Sequence, residues 1–284
     1  MKRITEVVRD VPKHWVGDGF PVRSLFSYQH NPDAYSPFLL LDYAEPHEFS
    51  PAGQTRGVGE HPHRGFETVT IVYQGEVDHR DSAGNSGTIG PGDVQWMTAA
   101  GGILHEEFHS PAFTAAGGIF EVIQLWVNLP AREKMTPPRY QDLRADAIPT
   151  VELEGEAGTA RIIAGELQET RGAARTVTRV NLWDLELAAN RRIELPIPAG
   201  QTAMLLVRSG TVQVNDSETL SDGELARFNR EESDILLETL APTTALLMSG
   251  DPIDEPVVGR GPFVMNTEAE IQQAIRDFQS GRMS

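Results

Sequence analysis

The 284-residue chain contains no cysteine. Disulfides, a thiolate nucleophile and a sulfur-ligated metal are excluded, so any metal must be held by nitrogen and oxygen. Lysine is nearly absent too: Lys2, Lys13 and Lys134 stand against twenty-one arginines. Formal net charge is −17, spread along the whole length with no basic stripe. Direct binding to nucleic-acid phosphates is therefore not expected. No apolar run approaches the roughly 18 residues of a membrane span. The first ten residues, Met1–Asp10, hold no apolar core of signal-peptide length. A cytoplasmic protein with no membrane partner is the expectation. Histidine is missing from the second half: all eight (14, 30, 47, 61, 63, 79, 105 and 109) fall in the first 109 residues. Only the first part can hold an imidazole-ligated metal. Gly-x-Ser-x-Gly, the P-loop pattern and Gly-x-Gly-x-x-Gly after a strand are absent as well.

What is present reads as strand after strand. Phe38–Tyr43 forms a buried strand bracketed by Ser36-Pro37 and Glu45-Pro46. Thr68–Tyr73, Gly75–His79, Val94–Thr98 and Phe120–Leu129 follow, separated by Gly, Pro, Asn and Asp. Short strands at this spacing predict an all-β barrel or sandwich. Residues 131–150, rich in proline and charge, read as a connector. The second half repeats the first in outline. Val72-Tyr73-Gln74-Gly75-Glu76-Val77 is echoed by Val207-Arg208-Ser209-Gly210-Thr211-Val212. Counted back from those glycines, His61 and His63 correspond to Pro196 and Pro198, so the second copy has no such histidines. Near the end, Thr267 and Glu270 form a capping box. Ile271, Ala274, Ile275 and Phe278 then make one apolar helical face, which Gly281 stops.

Chemistry concentrates between Glu60 and His109. His61 with His63, and His105 with Glu107, are i, i+2 pairs, and such pairs share a face in an extended strand. Three imidazoles and one carboxylate converging on a cavity make a metal site. That donor set suits iron, nickel, copper, manganese or zinc. Glu67, four residues after His63, falls on the same face by parity and is a fifth ligand, a support, or the partner of Arg64 or Arg80. Glu106 is expected to point away. His79 and His109 read as surface positions rather than pocket residues, and Phe66, Trp96, Met97 and Trp126 as barrel core.

Several segments together resemble the pirin family of the cupin superfamily. They are His61-Pro62-His63-Arg64-Gly65-Phe66-Glu67-Thr68-Val69, Pro91–Ala99, Gly102-Ile103-Leu104-His105-x-Glu107, Gln124–Pro130 and Gly261–Thr267. The likeness spans nearly the whole chain and is weakest over about 145–200. It implies two cupin (jelly-roll-like) β-barrels in tandem with a short C-terminal helix. Residues 1–135 would be the metal-binding barrel, 136–258 a metal-free one, and 259–284 a tail packing back on the first. It also implies one divalent metal, foremost Fe(II), with Ni, Cu, Mn, Co or Zn as alternatives. The ligands would be His61, His63, His105 and Glu107, and Glu67 becomes a support. By resemblance the function is a quercetin (flavonol) 2,3-dioxygenase using O2, with Glu107 as base. The competing expectation is an iron-dependent redox sensor that binds a partner protein.

Overall fold

The alternation of β-branched and aromatic residues with turn formers resolves into antiparallel strands, described for residues 1–283 in a computed structural model. The chain divides into two units: Pro12–Ala145 with Ile253–Ser284, and Met1–Val11 with Asp146–Pro252. The first strand, β1 (Ile4–Val8), belongs to the second unit. The first unit then runs β2 (His14–Val16), β3 (Phe20–Ser27), α1 (Pro32–Tyr35), β4 (Phe38–Phe49), β5 (Gly57–His63) and β6 (Phe66–Gln74). It continues through β7 (Val77–Asp81), β8 (Ser86–Ile89), β9 (Val94–Thr98), β10 (Ile103–His109), α2 (Pro111–Ala116), β11 (Gly118–Asn128) and β12 (Arg139–Leu143). One sheet has the order β12-β9-β6-β11-β4-β3-β2, and the other β5-β10-β7-β8.

The second unit comprises β13 (Thr150–Leu153), β14 (Gly158–Ala164), the hairpin β15 (Glu166–Leu167) and β16 (Thr170–Arg171), β17 (Val180–Leu187) and β18 (Arg192–Leu195). β19 (Thr202–Ser209), β20 (Thr211–Val214), β21 (Glu218–Ser221), β22 (Leu225–Phe228), β23 (Ile235–Thr239) and β24 (Thr243–Gly250) complete it. Its sheets are β1-β22-β19-β24-β17-β14-β13 and β18-β23-β20-β21. The two units thus have the same wiring, seven strands over four, which is the duplication the sequence echo predicts. The tail adds β25 (Val258–Arg260), β26 (Phe263–Met265) and α3 (Glu268–Gln279) to the first unit.

Three elements differ from the sequence reading, each for a physical reason. β4 runs on through Pro46, because the ladder to β11 shifts register between Phe120 and Val122 and the irregularity takes up the missing N–H. The presumed connector supplies β12, which pairs with β9 from Arg139↔Thr98 to Leu143↔Val94. Residues 1–11 do not join the first barrel, since β1 fills the equivalent edge slot beside β22 in the second. The C-terminal helix forms as expected: Thr267 Oγ1 accepts from the Glu270 amide, the Glu270 side chain accepts in return, and Ile271 and Ala274 are buried.

Two of the three lysines are structural anchors. Lys2, beside β1, donates to the carbonyls of Gln201 and Asn229. Lys134, ahead of β12, donates to Gly65 O and Asn128 Oδ1 at 2.6 Å and to Val264 O at 2.9 Å. Burial pulls the Lys134 ammonium down to about 7. The charges of Glu255 and Glu270 oppose that, and the three acceptors match the three N–H groups of an ammonium. Lys134→Met strands two buried backbone carbonyls. We expect a loss of about 3 kcal/mol in urea unfolding, since hydrogen bonds to a charged group are worth roughly 1.5–3 kcal/mol each.

Candidate metal centre

β5, β10 and β7 lie side by side in the four-stranded sheet. His105 pairs with His61 on one side and with Asp81 on the other, while Ile103 pairs with His63 and Glu107 with His79. Because side chains alternate along a strand, these registers bring three i, i+2 pairs to one face: His61/His63, His105/Glu107 and His79/Asp81. Burial along β10 follows the same alternation. Ile103, His105, Glu107 and His109 are buried, and Leu104, Glu106 and Phe108 are half-buried. Ring centroids lie 4.3 Å apart for His61–His105, 4.7 Å for His63–His105 and 4.8 Å for His61–His63. Ligand atoms of His61, His63 and His105 fall within 4.8 Å of one another, and so do those of His79, His105 and Glu107. His105 is common to both groups. After His63 the chain turns through Gly65 at φ +92°, where a Cβ would meet Val264 O at 1.9 Å, so only glycine fits.

Electrostatics keep the buried rings neutral. Burial, then the neighbouring His61, push His63 well below the ordinary imidazole range, with the Pro262 carbonyl opposing. His105 is pushed down likewise by burial and by His63, His61 and His79. Among the described residues, His63 Nδ1 and His105 Nε2 are buried with no hydrogen-bond partner. His61 Nδ1 lies 2.9 Å from the Gly59 carbonyl, so it carries the proton and Nε2 is free. Glu107 accepts from Thr70 Oγ1 at 3.2 Å and Gln124 Nε2 at 3.4 Å. Unprotonated, orphaned imidazole nitrogens beside a carboxylate fit a divalent cation, and nitrogen and oxygen donors do not by themselves select which one.

A pocket of about 80 Å³ opens onto this face, lined by His61, His63, Glu107, Asp42, Gln124 and Trp126 with Phe20 and four valine and alanine side chains, and by Val58 at β5. Burial raises the Asp42 carboxyl, with Ser24 opposing as a hydrogen-bond donor. Sequence reasoning missed Asp42, Thr70 and Gln124; a lone acid inside the apolar Phe38–Tyr43 run was the available signal for Asp42. It also missed that His79-x-Asp81 is a third i, i+2 pair.

Four expectations need correction. His79 and His109 are buried, not surface residues. His109 Nε2 meets the Gly19 carbonyl at 2.9 Å amid Phe49, Phe113 and Phe120, apart from the cluster. Trp126 is a pocket wall, stacked on Phe66 and 5.3 Å from His63. Glu67 lies on the opposite face, because the parity count from His63 crosses the Arg64-Gly65 break between β5 and β6. Phe66 packs on His63 and Thr70 reaches Glu107, so the alternating position 67 points away. Its Oε1 accepts from Thr98 at 2.7 Å.

The second unit has no equivalent centre, and the shared wiring shows what replaced it. Val77 pairs with Ile89 and His109; Val212, two residues past Gly210, pairs with Leu220 and Thr239. On that register Val214 stands for His79, Leu237 for Glu107, Ile235 for His105 and Leu195 for His61. All four are buried in an aliphatic core. The Pro196 correspondence was one residue out, because the link from β18 to β19 is longer by one.

Two cupin barrels, one carrying a buried histidine–carboxylate cluster and one filled with aliphatic side chains, define the class of protein. Family models described as "Pirin" and "Pirin C-terminal cupin domain" match residues 19–127 and 182–284. A Pseudomonas aeruginosa protein named "putative quercetin 2,3-dioxygenase" is 53% identical over 99% of this chain and 98% of its own length. Human pirin is 38% identical over 87% of this chain and 82% of its own. A crystal structure titled quercetin 2,3-dioxygenase from Acinetobacter baumannii superposes with a TM-score of 0.97 at 50% identity, covering 100% of this chain and 99% of that one. The chain belongs to the pirin family.

Burial raises the Glu67 carboxyl to about 7, the Thr98 hydroxyl opposing. Between about 4.5 and 7 the folded state then binds more protons than the unfolded one, so stability falls as pH rises through that window. Glu67→Gln is expected to abolish the fall, gaining on the order of 3 kcal/mol on wild type between pH 4 and pH 8 in denaturant titrations. Metal content should be unchanged.

Proposed function

We propose that this protein is a metal-dependent dioxygenase of the quercetin 2,3-dioxygenase type, with His61, His63, His105 and Glu107 as ligands of one divalent metal, foremost Fe(II). The observation that carries the reading is the clustering of bare imidazole nitrogens with Glu107 at a pocket whose other walls are mostly apolar, Asp42 and Gln124 excepted. The names of the two most similar proteins described above support the same activity. Such a metal, when bound, would supply the coupling between the flavonol oxyanion and O2. The residues around it do the rest. Glu107 accepts the proton of the flavonol 3-hydroxyl, held in place by the neutral donors Thr70 and Gln124. Trp126 and the valine side chains take the flat aromatic face and exclude water.

Pocket size limits how the substrate sits. Sites that enclose a drug-sized ligand usually measure roughly 300–1,000 Å³, against about 80 Å³ here. Only the ring edge bearing the reacting oxygens enters, and the remainder of the flavonol lies in the mouth. The same small volume favours the second reading, a metal-dependent redox sensor that acts through a protein partner. Incubating the metal-loaded protein with quercetin under O2 separates the two. Dioxygenase action requires metal-dependent loss of quercetin with carbon monoxide release, falling at least about 100-fold in His61→Ala and Glu107→Ala, as expected on removing a ligand or the base. Quercetin left untouched by protein carrying one metal per chain defeats the enzyme reading in favour of the sensor.

A further inference from the structure

Behind His105, on the side away from the pocket, lies a polar chain that the proposed chemistry does not use. The Asp81 carboxylate is 3.2 Å from His79 Nε2, with both side chains fully buried. His79 Nδ1 is 2.9 Å from Gln95 Nε2 and 3.5 Å from His105 Nδ1. Asp81 also accepts from the Asn85 amide and side chain at 2.9 Å, which pins it. Tyr140 stacks on the His79 ring, centroids 5.0 Å apart and planes 18° from parallel, which fixes the ring plane.

The hydrogen-bond inventory orders the protons along this chain. A carboxylate only accepts, so His79 Nε2 carries the hydrogen. The amide nitrogen of Gln95, which only donates, faces His79 Nδ1 at 2.9 Å, so Nδ1 is bare and accepts. That contact leaves Gln95 Oε1 without a partner, as observed. His105 Nδ1 lies 3.5 Å from the same lone pair, where a second bare nitrogen would be repelled, so it approaches as a weak, shared N–H. The remaining nitrogen, His105 Nε2, must be bare, and it is the buried atom with no partner. No step in this ordering refers to a metal.

We propose that Asp81, His79 and Gln95 are positioning residues that fix the tautomer of His105, holding its proton on Nδ1 and leaving the Nε2 lone pair free for coordination. The consequence for coordination rests on the metal-site reading above; the proton order does not. The second barrel supports it independently. There His105 has become Ile235 and His79 has become Val214. The position of Asp81 is Asp216, which lies in the turn of the shorter β20–β21 hairpin and pairs at the surface with Arg192 at 2.8 Å, so it backs no ring. Where the ligands are gone, the ring behind them is gone too, and the remaining acid serves a surface ion pair.

Two-bond ¹H–¹⁵N correlation on histidine-labelled, metal-free protein reads the tautomers directly, with His105→Gln identifying the His105 pattern. The expected wild-type result is a protonated Nδ1 and a bare Nε2 on His105. In Asp81→Asn the carboxamide donates to His79 Nε2 and reverses the chain. His105 should then carry its proton on Nε2, and Co(II) affinity should drop about 10–100-fold, the usual cost of losing such support. A wild-type His105 protonated on Nε2 overturns the proposal. So does an Asp81→Asn protein with both tautomer and Co(II) affinity unchanged. If Asp81→Asn fails to fold, the wild-type spectrum still decides the proton order, and His79→Gln replaces it in the affinity measurement. A protein with the expected tautomer that binds no Co(II) supports the ordered chain while defeating the metal-site reading.

Discussion

Everything at this site depends on strand register. Side chains of a strand alternate with period two, so a slip of one residue would carry a whole set of side chains to the other face. In the first barrel the pairings His61↔His105↔Asp81, His63↔Ile103 and Glu107↔His79 place six polar side chains on one face of three adjacent strands. The register shift between His105 and Glu107 opposite β5 leaves room for that crowding, since Glu107 pairs with Val58 rather than continuing the ladder. Gly57 permits the close approach there, for a Cβ would meet Glu107 O at 2.2 Å. Backbone geometry and side-chain chemistry are therefore one constraint: the ladder that closes the sheet also aims the imidazoles.

The second barrel is an internal control on what the fold needs. With the same strand order, it fills the equivalent positions with Leu195, Ile235, Leu237 and Val214, all buried and well packed. The barrel closes without a polar cluster. Keeping one costs stability in the first barrel, because a buried polar atom without a partner is worth roughly 1–3 kcal/mol against the folded state. His63 Nδ1, His105 Nε2 and Gln95 Oε1 are such atoms. A cost of that kind at the cluster, absent from the equivalent aliphatic positions of the second barrel, supports the proposed site over a packing role.

Much of this was legible in the chain before any coordinates. The strand spacing, the duplication, the capped C-terminal helix and the pairs His61/His63 and His105/Glu107 are local patterns, and local patterns survive folding. Errors came wherever a count crossed a break in a strand. Glu67 was placed by parity across Arg64-Gly65, and Pro196 by an offset that ignored one added residue. His79 and Asp81 were hidden for a different reason. Each is ordinary alone, and only the ladder between β7 and β10 sets them beside Glu107 and His105. Long-range pairing also explains β1 and β12. Nothing local tells residues 4–8 that their partner is 225–228, or residues 139–143 that theirs is 94–98.

The cluster is two-sided, and that asymmetry bears on mechanism. His61, His63 and Glu107 line the pocket, whereas His105 is buried behind them against His79. Residues on the pocket side are held by neutral groups that can yield: a backbone carbonyl for His61, and a hydroxyl and a long carboxamide contact for Glu107. His105 is backed instead by a stacked ring, a pinned carboxylate and a carboxamide. A site that must admit a substrate and accept its proton needs give on the open side and rigidity behind. On the proposed dioxygenase reading, loose support suits Glu107, since a base must exchange partners as it takes a proton. On the same reading, a ligand whose only task is to stay oriented would gain from the opposite treatment, which is what surrounds His105.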